Sequence, residues 1–285
     1  MRPPLSVPFV SAEEVARRCG PADAAVALEG ALIDGLDPEA DPPRSGLKVD
    51  HGELLVMPSA ARGHVAVKLV TIGGEPRVQG VCVIFDGATL APAAVIDGIA
   101  LTNLRTSAVS ALAVCHLATP RARRLLVFGR GPQAHAHVEA IKSVRPIRQV
   151  DMVGSADAPA DELVAAADII CCCTTARDPL FDGTLVADHA TVVAIGSHEP
   201  EARETDDALA GRATVVVESR ASALREAGDV IAPIASGALA DSDLVTLVEL
   251  VKGRAVPDPR RPRLFKSTGM GWEDAVVASA LMGRT

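Results

Sequence analysis

Apolar positions change their rhythm twice along the chain. Ser11-Ala-Glu-Glu14 ahead of an apolar run is a capping-box pattern, and Pro21 followed by Ala24, Val26, Leu28, Leu32 and Ile33 predicts a second helix. From Gly52 the apolar residues gather into short β-rich runs, GELLVM, VAVKLVT and VQGVCVIF, with turn signals at Gly73-Gly74 and Asp86-Gly87. These predict an antiparallel meander or a set of hairpins. Thr106 to Ala118, dense in Ala108, Ala111, Leu112, Val114 and Cys115, predicts a long buried helix ending before Pro120. After Arg121 strands alternate with helices: LLVF (125–128), RQVDMV (148–153), DIICCC (168–173), TVVAI (191–195) and ATVVV (213–217) are mostly continuous apolar runs, as in strands buried on both faces of a parallel sheet. The fold class is therefore α/β. The interval 154–167 is short for a strand and helix of its own, so one crossover is expected to be abbreviated.

Length and composition narrow the function. The 285 residues suit about two domains. With 28 Lys and Arg against 36 Asp and Glu, the net charge of −8 gives no electrostatic footprint for nucleic acid, and 2% aromatics leave little for base stacking. The longest stretch without a charged residue, Thr106 to Pro120, is shorter than the roughly 20 residues that cross a bilayer, so no membrane partner is expected. The N-terminus lacks the apolar core of a secretory signal, and cysteines at 19, 82, 115 and 171–173 match neither a disulfide framework nor zinc pairs. A reducing, cytoplasmic location is the expectation, with no metal.

One loop carries a specific chemistry. After LLVF comes Gly129-Arg-Gly131-Pro-Gln133-Ala134, and then the helical stretch HAHVEAIKSV. A GxGxxA loop between a buried strand and a helix brings backbone amides to a pyrophosphate at the helix N-terminus, which points to a dinucleotide site in a Rossmann-type domain. An acidic residue that binds the adenine ribose ordinarily closes the second strand, about 20 residues on. Here that strand ends at Val153-Gly154-Ser155, with neither a carboxylate nor an Arg at the tip. The small uncharged tip leans toward NADP rather than NAD.

Three cations in the first half have two readings each. Arg44 follows Pro42-Pro43, Lys68 sits within VAVKLVT, and Arg105 opens the buried helix. Lys68 alternates with Val67 and Leu69 onto the other strand face, which suits a solvent-facing side chain as well as a functional one. Convergence on a small carboxylate would explain all three, since guanidinium forks match carboxylates. His135 and His137 lie on different faces of their helix and cannot jointly chelate, and Cys171, Cys172 and Cys173 read as core packing.

These residues resemble the ornithine cyclodeaminase/mu-crystallin family. The match runs in order through Pro43-Arg44, Leu55-Val-Met57-Pro58, Val67-Lys68-Leu69-Val70, Leu101-Thr102, Arg105-Thr106, the 129–134 loop with His137, Cys173-Thr174-Thr175, Ile195-Gly196-Ser197 and Phe265-Lys-Ser267-Thr-Gly269. The resemblance implies a substrate-binding and dimerising lobe, residues 1–118 with 265–285, and an inserted Rossmann domain, 119–264. It implies that Arg44, Lys68 and Arg105 bind a substrate carboxylate. Gly129, Gly131, Gln133, Ala134, Thr174, Thr175, Ser267 and Gly269 would bind the cofactor. The activity implied is NAD(P)H-dependent reduction of a small cyclic imino acid such as Δ1-pyrroline-2-carboxylate, by a homodimer. An ornithine cyclodeaminase, or a crystallin-like protein that binds NAD(P) without turnover, are the alternatives. Cyclodeaminases of the family carry an Asp two residues after the Gly of the Ile-Gly turn, where this chain has His198. Lys68 and His198 are the candidate proton donors.

Overall fold

The computed structural model describes residues 6–283, in two compact units: the chain up to Arg105 together with the segment from Met270, and Thr106–Gly269. In the first unit β1 (Phe9–Val10) leads into α1 (Ala12–Arg18), where Ser11 and Glu14 close the expected capping box, and α2 (Pro21–Ile33) opens on its proline. Then β2 (Ser45–Val49), β3 (Gly52–Ala61), β4 (His64–Gly73), β5 (Val78–Asp86) and β6 (Pro92–Asp97) follow; β3, β4 and β5 are the three expected runs, and β2 and β6, which were not expected, extend them on either side. The sheet runs β1-β6-β5-β4-β3-β2, antiparallel throughout except where β1 joins β6.

The long helix α3 (Gly98–Leu117) starts well before Thr106. Asp97 sets the start, because its Oδ1 accepts the N–H groups of Ile99 (3.0 Å) and Ala100 (2.9 Å), which have no partner within the helix. Arg105 therefore lies inside the helix and does not open it.

In the second unit every strand pair is parallel. The chain passes through β7 (Arg124–Phe128), α4 (Pro132–Val144), β8 (Gln149–Val153), α5 (Asp161–Ala166), β9 (Ile169–Cys172), β10 (Thr191–Ala194), α6 (Asp207–Arg212), β11 (Thr214–Val217), α7 (Arg220–Glu226), α8 (Gly228–Ser236), β12 (Val245–Thr246), α9 (Leu247–Val251) and β13 (Arg263–Lys266). Their order is β12-β11-β13-β10-β9-β7-β8. The β8–β9 crossover is shortened to the six-residue α5, which leaves β8 at the sheet edge. An aliphatic core of Leu126, Ile170, Val192, Val215 and Leu264 fills the unit.

The boundaries differ from those expected at 118/119 and 264/265. β13 is a central strand between β10 and β11, so residues 265–269 stay with the parallel sheet, and the division falls after Gly269. At the other end the division falls within α3, after Arg105.

Past that point α10 (Gly271–Met282) returns to the first unit and packs on β3, β4 and α2. Its residues from Gly271 to Ser279 are buried, including Trp272. Along β4 the strand period puts Ala66, Lys68 and Val70 on the face that α10 covers. The opposite face carries Leu54, Val56, Val67, Leu69, Val81 and Val83, all apolar and only half-buried.

Candidate active site

Lys68 is not a solvent-facing strand residue. Its register partners are Met57 and Cys82, and its ammonium lies 2.8 Å from Asp274 Oδ2, both side chains at most 2% exposed. Arg105 reaches the same carboxylate from α3, with Nε 3.2 Å from Asp274 Oδ1, and its Nη1 donates to Glu273 Oε2 at 2.6 Å. Two cations thus face two consecutive acids in the first turn of α10. The helix is anchored there by Asp41, whose Oδ2 accepts the Trp272 N–H at 3.0 Å. Burial and the adjacent Arg105 push the Lys68 ammonium down to about 8, although Asp274 pulls the other way. A lysine so placed binds an anion and also gives up a proton near neutral pH. Arg44 sits half-buried immediately before β2.

Glu273 and Asp274 were not among the residues singled out in the sequence. The only signal was two acids in an otherwise apolar C-terminal segment, and acids at a helix start are usually just dipole partners.

In the second unit the loop after β7 has the geometry a dinucleotide needs. Gly129 has φ +112°, and a Cβ there would fall 2.4 Å from the Cys173 carbonyl oxygen at the end of β9. Only glycine permits that approach. Gly131, the N-cap of α4, has an ordinary φ of −79°, and a Cβ built on it meets no atom within 4 Å. The space is open at a helix N-terminus, where the neighbouring strands β8 and β9 diverge to either side of β7, as a pyrophosphate cradle requires. Ala134 is fully buried and lets α4 lie close to the sheet. Gln133 gives its carbonyl to His137 Nδ1 (2.8 Å), and His137 Nε2 meets Ser110 Oγ (2.9 Å). Burial pushes that imidazole down to about 4, so it is a neutral link between α3 and α4.

The remaining loops at the carboxyl ends of the strands are pinned by buried acids. Glu204 accepts Thr174 N (2.8 Å) and Oγ1 (2.7 Å) with one oxygen and Gly196 N (2.7 Å) with the other. Asp229 accepts the amides of Glu204 and Thr205, and Lys266 bridges Asp229 Oδ2 (3.0 Å) and the Ser197 carbonyl (2.8 Å). Burial holds the Glu204 carboxyl above its ordinary range despite Lys266, whereas Lys266 and Thr205 overcome burial at Asp229 and hold it below. Glu218 collects Ser267 Oγ, Thr268 N (2.9 Å) and Gly269 N (3.2 Å). Thr174, Ser267 and Gly269 are thus fixed in place, while Thr175 is exposed. His198 is half-buried on the turn that Glu204 and Lys266 hold. Cys171, pushed up to about 12 by burial, is an inert core thiol.

The tip of β8 departs from the expectation that no Arg stands there. Arg130, from inside the glycine loop, reaches across: its Nη2 donates to Met152 O (3.3 Å) and Asp157 Oδ2 (2.7 Å). Sequence distance from the strand hid it.

Comparison with known proteins agrees with the geometry. The model of the Ornithine cyclodeaminase/mu-crystallin family matches residues 9–160 and 153–285. The chain belongs to that family. It is 33% identical to the ketimine reductase mu-crystallin of Rattus norvegicus, covering 80% of this chain and 79% of that one. It is 32% identical to the Δ1-pyrroline-2-carboxylate reductase of Bacillus cereus, covering 81% of each. Among solved structures, a probable ornithine cyclodeaminase from Bordetella pertussis superposes with TM-score 0.92 at 28% identity, covering 98% of this chain and 97% of that one. The Thermococcus litoralis Δ1-pyrroline-2-carboxylate reductase in complex with NADH and L-proline gives 0.89 at 25%, with the same coverage.

Two outcomes follow for this family member. Asp274→Ala leaves Lys68 buried beside Arg105 without its anion, so urea unfolding should show a loss of about 3–5 kcal/mol. A loss below about 1 kcal/mol would mean that the pair is not buried in solution. Gly131→Val fills open space without touching the fold, so it should unfold at the wild-type urea concentration while losing dinucleotide binding in a fluorescence titration. Unchanged affinity in the folded variant would sink the cradle assignment.

Proposed function

We propose that this chain is an NAD(P)H-dependent reductase of a small cyclic imino acid of the Δ1-pyrroline-2-carboxylate type. The observation that carries the reading is the buried pairing of Lys68 and Arg105 with Asp274 and Glu273, in a family whose relatives at 32–33% identity are named imine and ketimine reductases. The bound nicotinamide cofactor supplies the hydride that reduces the C=N carbon. Gly129, Gly131, Gln133 and Ala134 hold its pyrophosphate, with Thr174, Thr175, Ser267 and Gly269 around the rest. The chain's own task is to hold the imino acid by its carboxylate and deliver a proton to nitrogen.

Charge counting divides that task. Glu273 and Asp274 balance Lys68 and Arg105 and hold them in place, and Arg44, Lys68 and Arg105 together bind the substrate carboxylate. Lys68, depressed to about 8, is protonated at neutral pH yet gives up its proton readily, which suits the general acid. His198 is the second candidate donor. The cyclodeaminase alternative is disfavoured at that position, since an imidazole offers no anion to a substrate ammonium. The Arg130 guanidinium at the carboxyl end of β8 supports a preference for NADP. The half-buried apolar sheet face of Leu54, Val56, Val67, Leu69, Val81 and Val83 supports a homodimer that covers it. Six unbridged cysteines suit a reducing, cytoplasmic setting.

The test follows NAD(P)H oxidation at 340 nm with a panel of cyclic imino acids, beside ammonia release from L-ornithine with NAD⁺. Reduction should dominate, and its kcat/KM should fall above pH about 8 as free Lys68 loses its proton. Lys68→Arg should lack that limb while keeping any limb due to the substrate itself. Robust ammonia release with no imine reduction would overturn the reading in favour of the cyclodeaminase. Sedimentation equilibrium should give twice the 29.4 kDa chain mass, and Val67→Lys with Leu69→Glu should give the monomer. A wild-type monomer at micromolar concentration would remove the dimer proposal.

A further inference from the structure

We propose that Arg130 is the residue that selects the 2′-phosphorylated dinucleotide. The inference rests on the cofactor reading above and deepens it. Arg130 lies between the two loop glycines, but its side chain does not stay over the loop. It crosses to the carboxyl end of β8, the edge strand next to β7, where the adenine ribose of a dinucleotide lies when the pyrophosphate sits at the start of α4. Gly154 makes the crossing possible. A Cβ at that position would come within 3.3 Å of Arg130 Nη1 and 3.6 Å of Cδ and Cζ, so a side chain there would displace the guanidinium.

The guanidinium is held by one edge only. Among the described residues both of its hydrogen bonds are made by Nη2, to Met152 O and to Asp157 Oδ2, and the side chain remains 58% exposed. The donors on Nε and Nη1 are left for a ligand, in the fork geometry that matches a phosphate.

Asp157 is the carboxylate nearest the tip of β8, but it is not placed as the ribose ligand of an NAD enzyme. Its Oδ2 is committed twice, accepting Gly154 N at 2.8 Å and Arg130 Nη2 at 2.7 Å, so it closes the turn after β8 and orients the guanidinium. A 2′-phosphate carries about two negative charges at neutral pH, which the single-edge pairing with Asp157 leaves room for. A ribose hydroxyl gains far less from the same group. Arg130 therefore discriminates between the two cofactors, and Asp157 is a positioning residue that moderates its charge.

The test is binding, read without turnover. NADPH and NADH are titrated by nucleotide fluorescence, and 2′,5′-ADP and 5′-AMP by calorimetry, on the wild-type protein, Arg130→Gln and Asp157→Asn. Wild type should prefer NADPH to NADH and 2′,5′-ADP to 5′-AMP. Arg130→Gln should weaken NADPH and 2′,5′-ADP by roughly 10- to 100-fold and leave NADH and 5′-AMP within about twofold. Asp157→Asn keeps an acceptor for Gly154 N and removes the competing charge, so NADPH should bind several-fold more tightly. An NADPH to NADH ratio unchanged in Arg130→Gln, or a collapse of NADH binding in Asp157→Asn, overturns the assignment while leaving the cofactor reading intact. Failure of the wild type to bind any of the four ligands overturns both.

Discussion

Burying Lys68 and Arg105 inside the first unit is the constraint around which that unit is built. A lone cation in an apolar interior carries a penalty of several kcal/mol, and removing either partner of a buried pair exposes it in full. The sheet and α3 supply the cations and contain no buried acid facing them. Both anions arrive on α10, which is why the covered face of the sheet is completed only by the far end of the chain. The discontinuity of the first unit follows from this charge requirement as much as from apolar packing by Trp272 and its neighbours.

The second unit solves a similar problem with separate acids. Glu204, Asp229 and Glu218 each satisfy amides of the turns that leave the sheet's carboxyl ends, and Lys266 neutralises part of that charge from the central strand β13. Turns held this way have little freedom, so a ligand bound there loses less entropy in ordering them. The glycine loop is the contrast. Among the described residues no buried acid holds it; its shape comes from φ at Gly129, the close approach to Cys173 and the His137 imidazole on the Gln133 carbonyl.

Strands β7 to β11 of the parallel sheet were legible because continuous apolar runs are what burial on both faces demands. The meander was legible from alternation and turn glycines. What period could not show was which face of β4 lay inward: Lys68 alternates correctly with Val67 and Leu69, but the covered face is the one with the charge. β13 was hidden because only four residues of it are paired and charged residues stand at both its ends. The start of α3 was hidden because its signal was a cap, Asp97, and not a repeat. Among site residues, the cofactor glycines and the cations were visible as motifs. Glu273, Asp274, Glu204 and the reach of Arg130 were not, since each acts on a partner distant in sequence.

The distance between the first unit's two segments has a consequence for synthesis. Arg105 and its carboxylate partner Glu273 are 168 residues apart. On the ribosome the meander emerges with its inward cations unmatched, while the parallel-sheet unit is still being made. That inserted unit has all its strands and pinning acids before α10 exists, so it is the part of the chain able to fold during translation. The N-terminal sheet stays incompletely closed until α10 is available to cover it. Closure of the buried charge cluster is therefore a late docking event that waits for α10.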